Sequence, residues 1–109
     1  MELTVTNNAI EKMKEIDPSQ SYNLLLWYDT DECGCGVNGM PTFRLTKDPK
    51  NNNKKVNSNY TMPTYISEQQ AVFFSKDMKL DYQGSTFRLI SKEGILNPFI
   101  STTSIVVEG

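Results

Sequence analysis

The sequence predicts a single α+β domain, small and rich in strand. Three observations lead there. At 109 residues the chain is about one domain long, and a domain of this size buries roughly 65% of the surface its unfolded chain exposes, so it needs no disulfide or structural metal to fold. Short runs of β-branched and aromatic residues bounded by turn residues recur along most of the chain. Only two stretches, after Thr6 and after Ser67, combine capping residues with apolar residues at helical spacing, which predicts two main helices. No internal repeat or domain boundary interrupts residues 1–109.

Glu2-Leu3-Thr4-Val5-Thr6 alternates polar and apolar residues and reads as a half-buried strand. A helix follows, capped by Thr6 or Asn8, with Ala9, Ile10, Met13 and Ile16 repeating at helical spacing. Asp17-Pro18 ends it, because proline disfavours helical geometry in the residue before it. Tyr22 to Tyr28 lacks alternation and is apolar from Leu24 to Trp27, which predicts a strand buried on both faces at the centre of the sheet. After Asp29-Thr30-Asp31-Glu32 and a cysteine-glycine loop, a second strand resumes near Thr42 to Leu45, with Phe43 and Leu45 on one face and Arg44 on the other.

Lys47 to Asn59 holds five asparagines, four lysines and Pro49, and with almost nothing apolar to bury it is expected to be a mobile polar excursion. Tyr60 to Ile66 is strand-like, and Pro63 within it points to an edge or a bulge. Ser67-Glu68-Gln69-Gln70 has the serine and glutamine of a capping box, starting the second helix through Ala71, Val72, Phe73, Phe74 and Met78. Lys79 to Tyr82 and Thr86 to Ile90 form two strands around a Gln83-Gly84-Ser85 turn. The core therefore spans about residues 2–98, and Pro98 opens a β-prone tail over 99–109.

Composition removes several function classes. A net charge of -2 offers no basic field for nucleic acid. The longest apolar run, Leu24 to Tyr28, falls far short of the roughly 20 residues that cross a bilayer, so no membrane span is expected. Met1 to Thr6 has neither the basic nor the apolar part of a secretory signal, which places the protein in the cytoplasm, where thiols stay reduced. Histidine is absent. That eliminates Ser-His-Asp and Cys-His nucleophiles and imidazole bases, and no catalytic residue is assigned.

The chemistry that remains is concentrated in Asp31-Glu32-Cys33-Gly34-Cys35-Gly36-Val37-Asn38-Gly39, which holds both cysteines and three of the six glycines. Cys33 and Cys35 are the candidate metal- and cofactor-binding residues, since thiols one residue apart on a glycine-loosened backbone can converge on a soft metal. Two other readings stand beside this one. A dithiol can exchange disulfides, although no lysine or arginine in the loop lowers a thiol pKa and its acids oppose ionisation. A turn packed with two small residues needs no chemistry at all. Trp27, Tyr28, Phe73, Phe74 and Phe87 are expected in the core, and Arg44 and Arg88 over the sheet's outer face.

The order of these features resembles the HesB/IscA-like family of A-type iron-sulfur carriers. The resemblance runs from about Leu3 to Pro98 and rests on Tyr65-Ile66-Ser67-Glu68, Met78-Lys79-Leu80-Asp81-Tyr82, Phe87-Arg88-Leu89 and Asn97-Pro98, in that order. It implies a small β-rich sandwich or pseudo-barrel that holds iron or an iron-sulfur cluster. It also implies a homodimer and a recipient apo-protein or cluster-assembly protein as partners, with no turnover chemistry. The family's first cysteine position is matched by Cys33 or Cys35. Its C-terminal Cys-Gly-Cys is not matched, because Phe99-Ile100-Ser101-Thr102-Thr103-Ser104 follows Asn97-Pro98. The same resemblance fits an interaction or regulatory protein that keeps the fold without the metal.

Overall fold

Alternation in the first strand, β1 (Glu2–Val5), buries Leu3 and Val5 and leaves Glu2 and Thr4 in solvent. The structure, a computed structural model, describes residues 1–29, 40–47, 53–105 and 107–108. Thr6 holds extended backbone and caps helix α1 (Asn7–Ile16), its Oγ1 accepting from the Ala9 amide at 3.3 Å while its hydroxyl donates to Asp81 at 2.7 Å. Ala9 and Met13, one turn apart, are fully buried and dock the helix. Asp17 then turns the chain: its buried carboxylate accepts from the Ser21 and Tyr22 amides and from the Ser19 hydroxyl.

Strand β2 (Asn23–Asp29) is buried on both faces at Leu24, Leu25 and Leu26. It pairs antiparallel with β3 (Met40–Thr46), on which Phe43 and Leu45 face the core and Arg44 lies over the Trp27 ring, 4.2 Å from its centroid. Both strands form where the sequence reading expects them, but β2 is not at the centre of the sheet: it stands third from one end of the nine-strand order, because its apolar run reports burial on both faces and not position among the strands.

The polar excursion does not. Residues 48–52 lie outside the described residues, but Asn53–Ser58 form strand β4, antiparallel to β5 (Thr64–Ser67) and parallel to β1. A ladder needs backbone groups rather than apolar side chains, and one buried residue, Val56, fixes its register while Lys54 and Lys55 stay exposed. Pro63 precedes β5, where its missing N–H costs nothing, and its carbonyl accepts from the Leu24 amide at 3.0 Å. Neither an edge nor a bulge is present there, since β5 lies between β4 and β2.

The second expected helix is also corrected. After Ser67 the chain makes turns and a single 3₁₀ turn, Ala71–Phe73, and Met78 belongs to strand β6 (Asp77–Gln83), where it is buried opposite Leu3 of β1. Val72 is 80% exposed, so a continuous apolar helix face would have had nothing to cover it. The parallel ladder with β1 outweighs local propensity, and the described residues hold one main helix rather than two.

Strand β7 (Thr86–Ser91) joins β6 through a hairpin in which Gly84 and Ser85 both take positive φ, 58° and 73°, the geometry that matches strand twist. Strand β8 (Gly94–Ser101) follows with Pro98 on an outermost strand. The tail then makes a 3₁₀ turn, Thr102–Ser104, and a short strand β9 (Val107–Glu108) parallel to β3.

The strands are ordered β8-β7-β6-β1-β4-β5-β2-β3-β9, and the sheet rolls until its ends meet. Asn97 of β8 donates to the Pro41 carbonyl of β3 at 2.8 Å, and Phe43 and Phe87 meet edge to face with centroids 5.2 Å apart. The result is a near-barrel, with the core inside the roll. At the β1–β4 junction the peptide ladder stops at Leu3 and Ser58, and the Asn59 carboxamide continues it, accepting from the Val5 amide at 2.7 Å and donating to the Val5 carbonyl at 3.0 Å. No helix among the described residues is long and apolar enough to cross a membrane.

Asn59→Ala removes both bonds and is expected to cost about 1–3 kcal/mol, read as a lowered urea midpoint with an unchanged m-value. A second expectation concerns Tyr60, whose phenol is pushed up to about 12 by burial and, to a lesser degree, by the charge of Asp17. The folded state thus favours the protonated phenol, so this contribution to stability is intact below the ordinary tyrosine pKa of about 10 and lost as pH rises toward 12. Denaturation midpoints from pH 9 to 12 should fall more steeply in the wild type than in Tyr60→Phe.

Candidate functional site

Cys33 and Cys35, with Asp31, Glu32 and their flanking glycines, lie outside the described residues. What the structure describes is how both ends of that segment are held. Asp29 and Met40 are register partners, so residues 30–39 leave and re-enter the sheet at adjacent positions on β2 and β3.

Each end is held by a side-chain amide. On the outgoing side, Gln70 clasps Tyr28: the Tyr28 amide donates to Gln70 Oε1 at 3.0 Å, and Gln70 Nε2 donates to the Tyr28 carbonyl at 3.2 Å. The peptide pairing between β5 and β2 ends at Ile66 and Leu26, and Gln70 prolongs it by the reach of one side chain. The Tyr28 ring stacks on Phe73, with centroids 3.8 Å apart and planes 10° from parallel. On the returning side, Pro41 is held by the buried Asn97, whose Oδ1 also accepts from the Phe99 amide at 3.1 Å.

Among the residues expected in the core, Phe87 is fully buried, Phe74 packs against the core, and Trp27 lies under Arg44. Phe73 differs, being 46% exposed and serving as the stacking partner of Tyr28. Met40 and Phe99 are exposed as well, so large apolar side chains accompany both ends of the cysteine segment. Gln70 and Asn97 are the site residues that the sequence reading missed. Gln70 carries the signature of a capping box, and Asn97 stands out only with Pro98 as part of the family resemblance, so no local signal marks either as a long-range clasp.

Among the described residues no group of three or more His, Cys, Asp or Glu side chains could hold a metal ion. A cleft of about 390 Å³ on the outer face of β1, β6 and β7, lined by Glu2, Thr4, Asp77, Lys79, Ile90 and Lys92, carries no such set, and Lys92 pairs with Asp77 at 3.2 Å. A single chain cannot furnish the four thiolates of a conventional iron-sulfur cluster.

Comparison with known proteins fits this frame. Residues 1–104 match the family model for iron-sulphur cluster biosynthesis. The chain is 32% identical over 104 residues to the uncharacterized protein YqkB of Bacillus subtilis (strain 168), covering 93% of this chain and 96% of that one. Its fold is similar to that of a protein from Lactobacillus salivarius ascribed to Fe-S biosynthesis, with a TM-score of 0.75 at 22% identity over 99% of this chain and 98% of the other. A counterpart from Lactobacillus acidophilus gives 0.68 at 18% identity, covering 100% and 90% of the two chains. Escherichia coli SufA, involved in biosynthesis of iron-sulfur clusters, gives 0.58 at 15% identity over 81% and 78%. At these identities the solved structures establish the near-barrel fold.

Gln70→Ala is expected to cost about 1–2 kcal/mol and to accelerate hydrogen exchange at the Tyr28 amide relative to the rest of β2. Unchanged exchange at that amide would show that the clasp does not form in solution.

Proposed function

The chain belongs to the iron-sulphur cluster biosynthesis family, and from that membership we propose that it holds iron or an iron-sulfur cluster transiently through Cys33 and Cys35 and passes it to a recipient apo-protein. The observation that carries this reading is the family match over residues 1–104, which includes the only two thiols of the chain. The clasped ends of the cysteine segment support it, because a fixed point of departure limits how far two thiolates can wander from a shared cargo.

The donor set argues for transfer rather than storage. Thiolates suit iron, but two per chain leave coordination positions to be filled from outside. A second copy of the chain brings the thiols of the pair to four, which makes a bridging homodimer one way to complete the site. An incoming recipient thiol loses its proton, binds the metal and displaces Cys33 or Cys35, which takes up a proton as it leaves. Ligand exchange of this kind needs no histidine and no oxidant, and the chain has no turnover chemistry of its own under this reading.

A second reading, an interaction or regulatory protein that keeps the fold without the cargo, draws on the tail. Where the resembling family carries Cys-Gly-Cys, this chain has hydroxyl residues, and Ser101 and Thr103 are hydrogen-bonded to each other at 2.9 Å. Hydroxyls of this kind are poor iron ligands beside thiolates. A thiol redox role is the least supported, since residues 29–41 contain no cation to lower a thiol pKa.

Anaerobic reconstitution with ferrous iron and sulfide should produce a visible chromophore that is lost in Cys33→Ser and in Cys35→Ser. A colourless wild-type protein under those conditions would overturn the carrier reading in favour of the interaction protein.

A further inference from the structure

The amides at Asn59, Gln70 and Asn97 account for strand ends that peptide pairing leaves open. A different part of the molecule carries buried polar atoms that no protein group satisfies. Between β4, β5 and the turn joining them lies a cleft of about 310 Å³, lined by Lys55, Asn57, Tyr60, Met62 and Thr64 among others. Two of its lining residues are almost completely buried, Tyr60 at 6% exposure and Thr64 at 1%. The Tyr60 hydroxyl and Thr64 Oγ1 have no hydrogen-bond partner among the described residues, and the same is true of Gln20 Nε2 in the turn after α1.

Leaving a buried hydroxyl unsatisfied destabilises the fold, and two residues that line this one cleft each carry one. The surroundings restrict what can relieve it. The Tyr60 phenol stays protonated through the physiological range under burial and the charge of Asp17, so it is a donor. The same Asp17 charge disfavours an anion against the phenol, and among the described residues no carboxylate lines the cleft to favour a cation, Lys55 being the one charged side chain there. A neutral molecule with an oxygen that accepts a hydrogen bond meets these conditions. Proteins of this length hold roughly four buried waters, each with two to four polar partners.

We propose that Tyr60 and Thr64 form a structural water site, in which one ordered water accepts from the Tyr60 hydroxyl and bonds the Thr64 hydroxyl at the foot of this cleft. The water fastens the β4–β5 turn, which also carries Asn59, to the first residue of β5. It is independent of the iron-carrier reading, because none of its residues belongs to the cysteine segment or its clasps.

The test is a double-mutant cycle on the full chain with Tyr60→Phe, Thr64→Val and the pair, measured by urea unfolding at neutral pH. Each single substitution should lower the folding equilibrium constant roughly three- to tenfold, and the double should fall scarcely further than either single, since losing one hydroxyl already releases the shared water. Singles that leave stability unchanged or raise it, or effects that simply add, would overturn the proposal. Wild-type protein supplies a check that does not depend on the variants folding. Long-lived water should give cross-relaxation to Tyr60 and Thr64 protons by NMR, and its absence at both would equally overturn the site.

Discussion

A sheet rolled into a near-barrel has ladder ends that peptide pairing does not reach, and every backbone group stranded there must find a partner or pay for its burial. Side-chain amides meet that need here. A carboxamide offers one acceptor and two donors in the geometry of a peptide group, so it can stand in for one more residue of a strand. Asn59 does this for Val5 and Gln70 for Tyr28, each with a bond to the amide and a bond from the side chain to the carbonyl. Asn97 does it across the closing seam with a single bond to Pro41. These contacts span 54, 42 and 56 residues of sequence, and the close approach of Phe43 and Phe87 inside the roll depends on the seam staying shut.

The same geometry ties the fold to the family role. Two of the three amides hold the residues from which the cysteine segment departs and to which it returns. The segment is thereby attached to the turn at Gln70 on one side and to β8 on the other, two parts of the chain that local sequence does not connect. Exposed Met40, Phe73 and Phe99 accompany these attachments, so apolar surface lies near the ends of the segment that carries the thiols. Under the carrier role proposed above, and with no histidine in the chain, the cargo would be held by sulfur, and a two-thiol donor set would suit a protein that hands it on.

Elements whose own residues decide them were legible in the sequence. Leu3 and Val5, the Thr6 cap with Ala9 and Met13, the apolar run at Leu24 to Leu26 and the Gly84-Ser85 hairpin each announce their structure locally. Strand β4 was hidden because pairing on both sides supplies what its asparagines and lysines lack, with Val56 as the one apolar anchor. The helix expected after Ser67 failed for the converse reason: its signals were local, while Met78 gained more by pairing opposite Leu3 and Gln70 by clasping Tyr28. Cys33 and Cys35 stand out by composition, whereas Gln70 and Asn97 act across long sequence separations that no periodicity records.

The most direct measurement of the carrier role is the iron and acid-labile sulfide content per chain of protein purified without exposure to air, alongside its subunit count. A protein that holds cargo through Cys33 and Cys35 should carry iron that a chelator removes and that is missing from the Cys33→Ser, Cys35→Ser double variant. Metal-free wild type, or iron retained undiminished by the double variant, would contradict it.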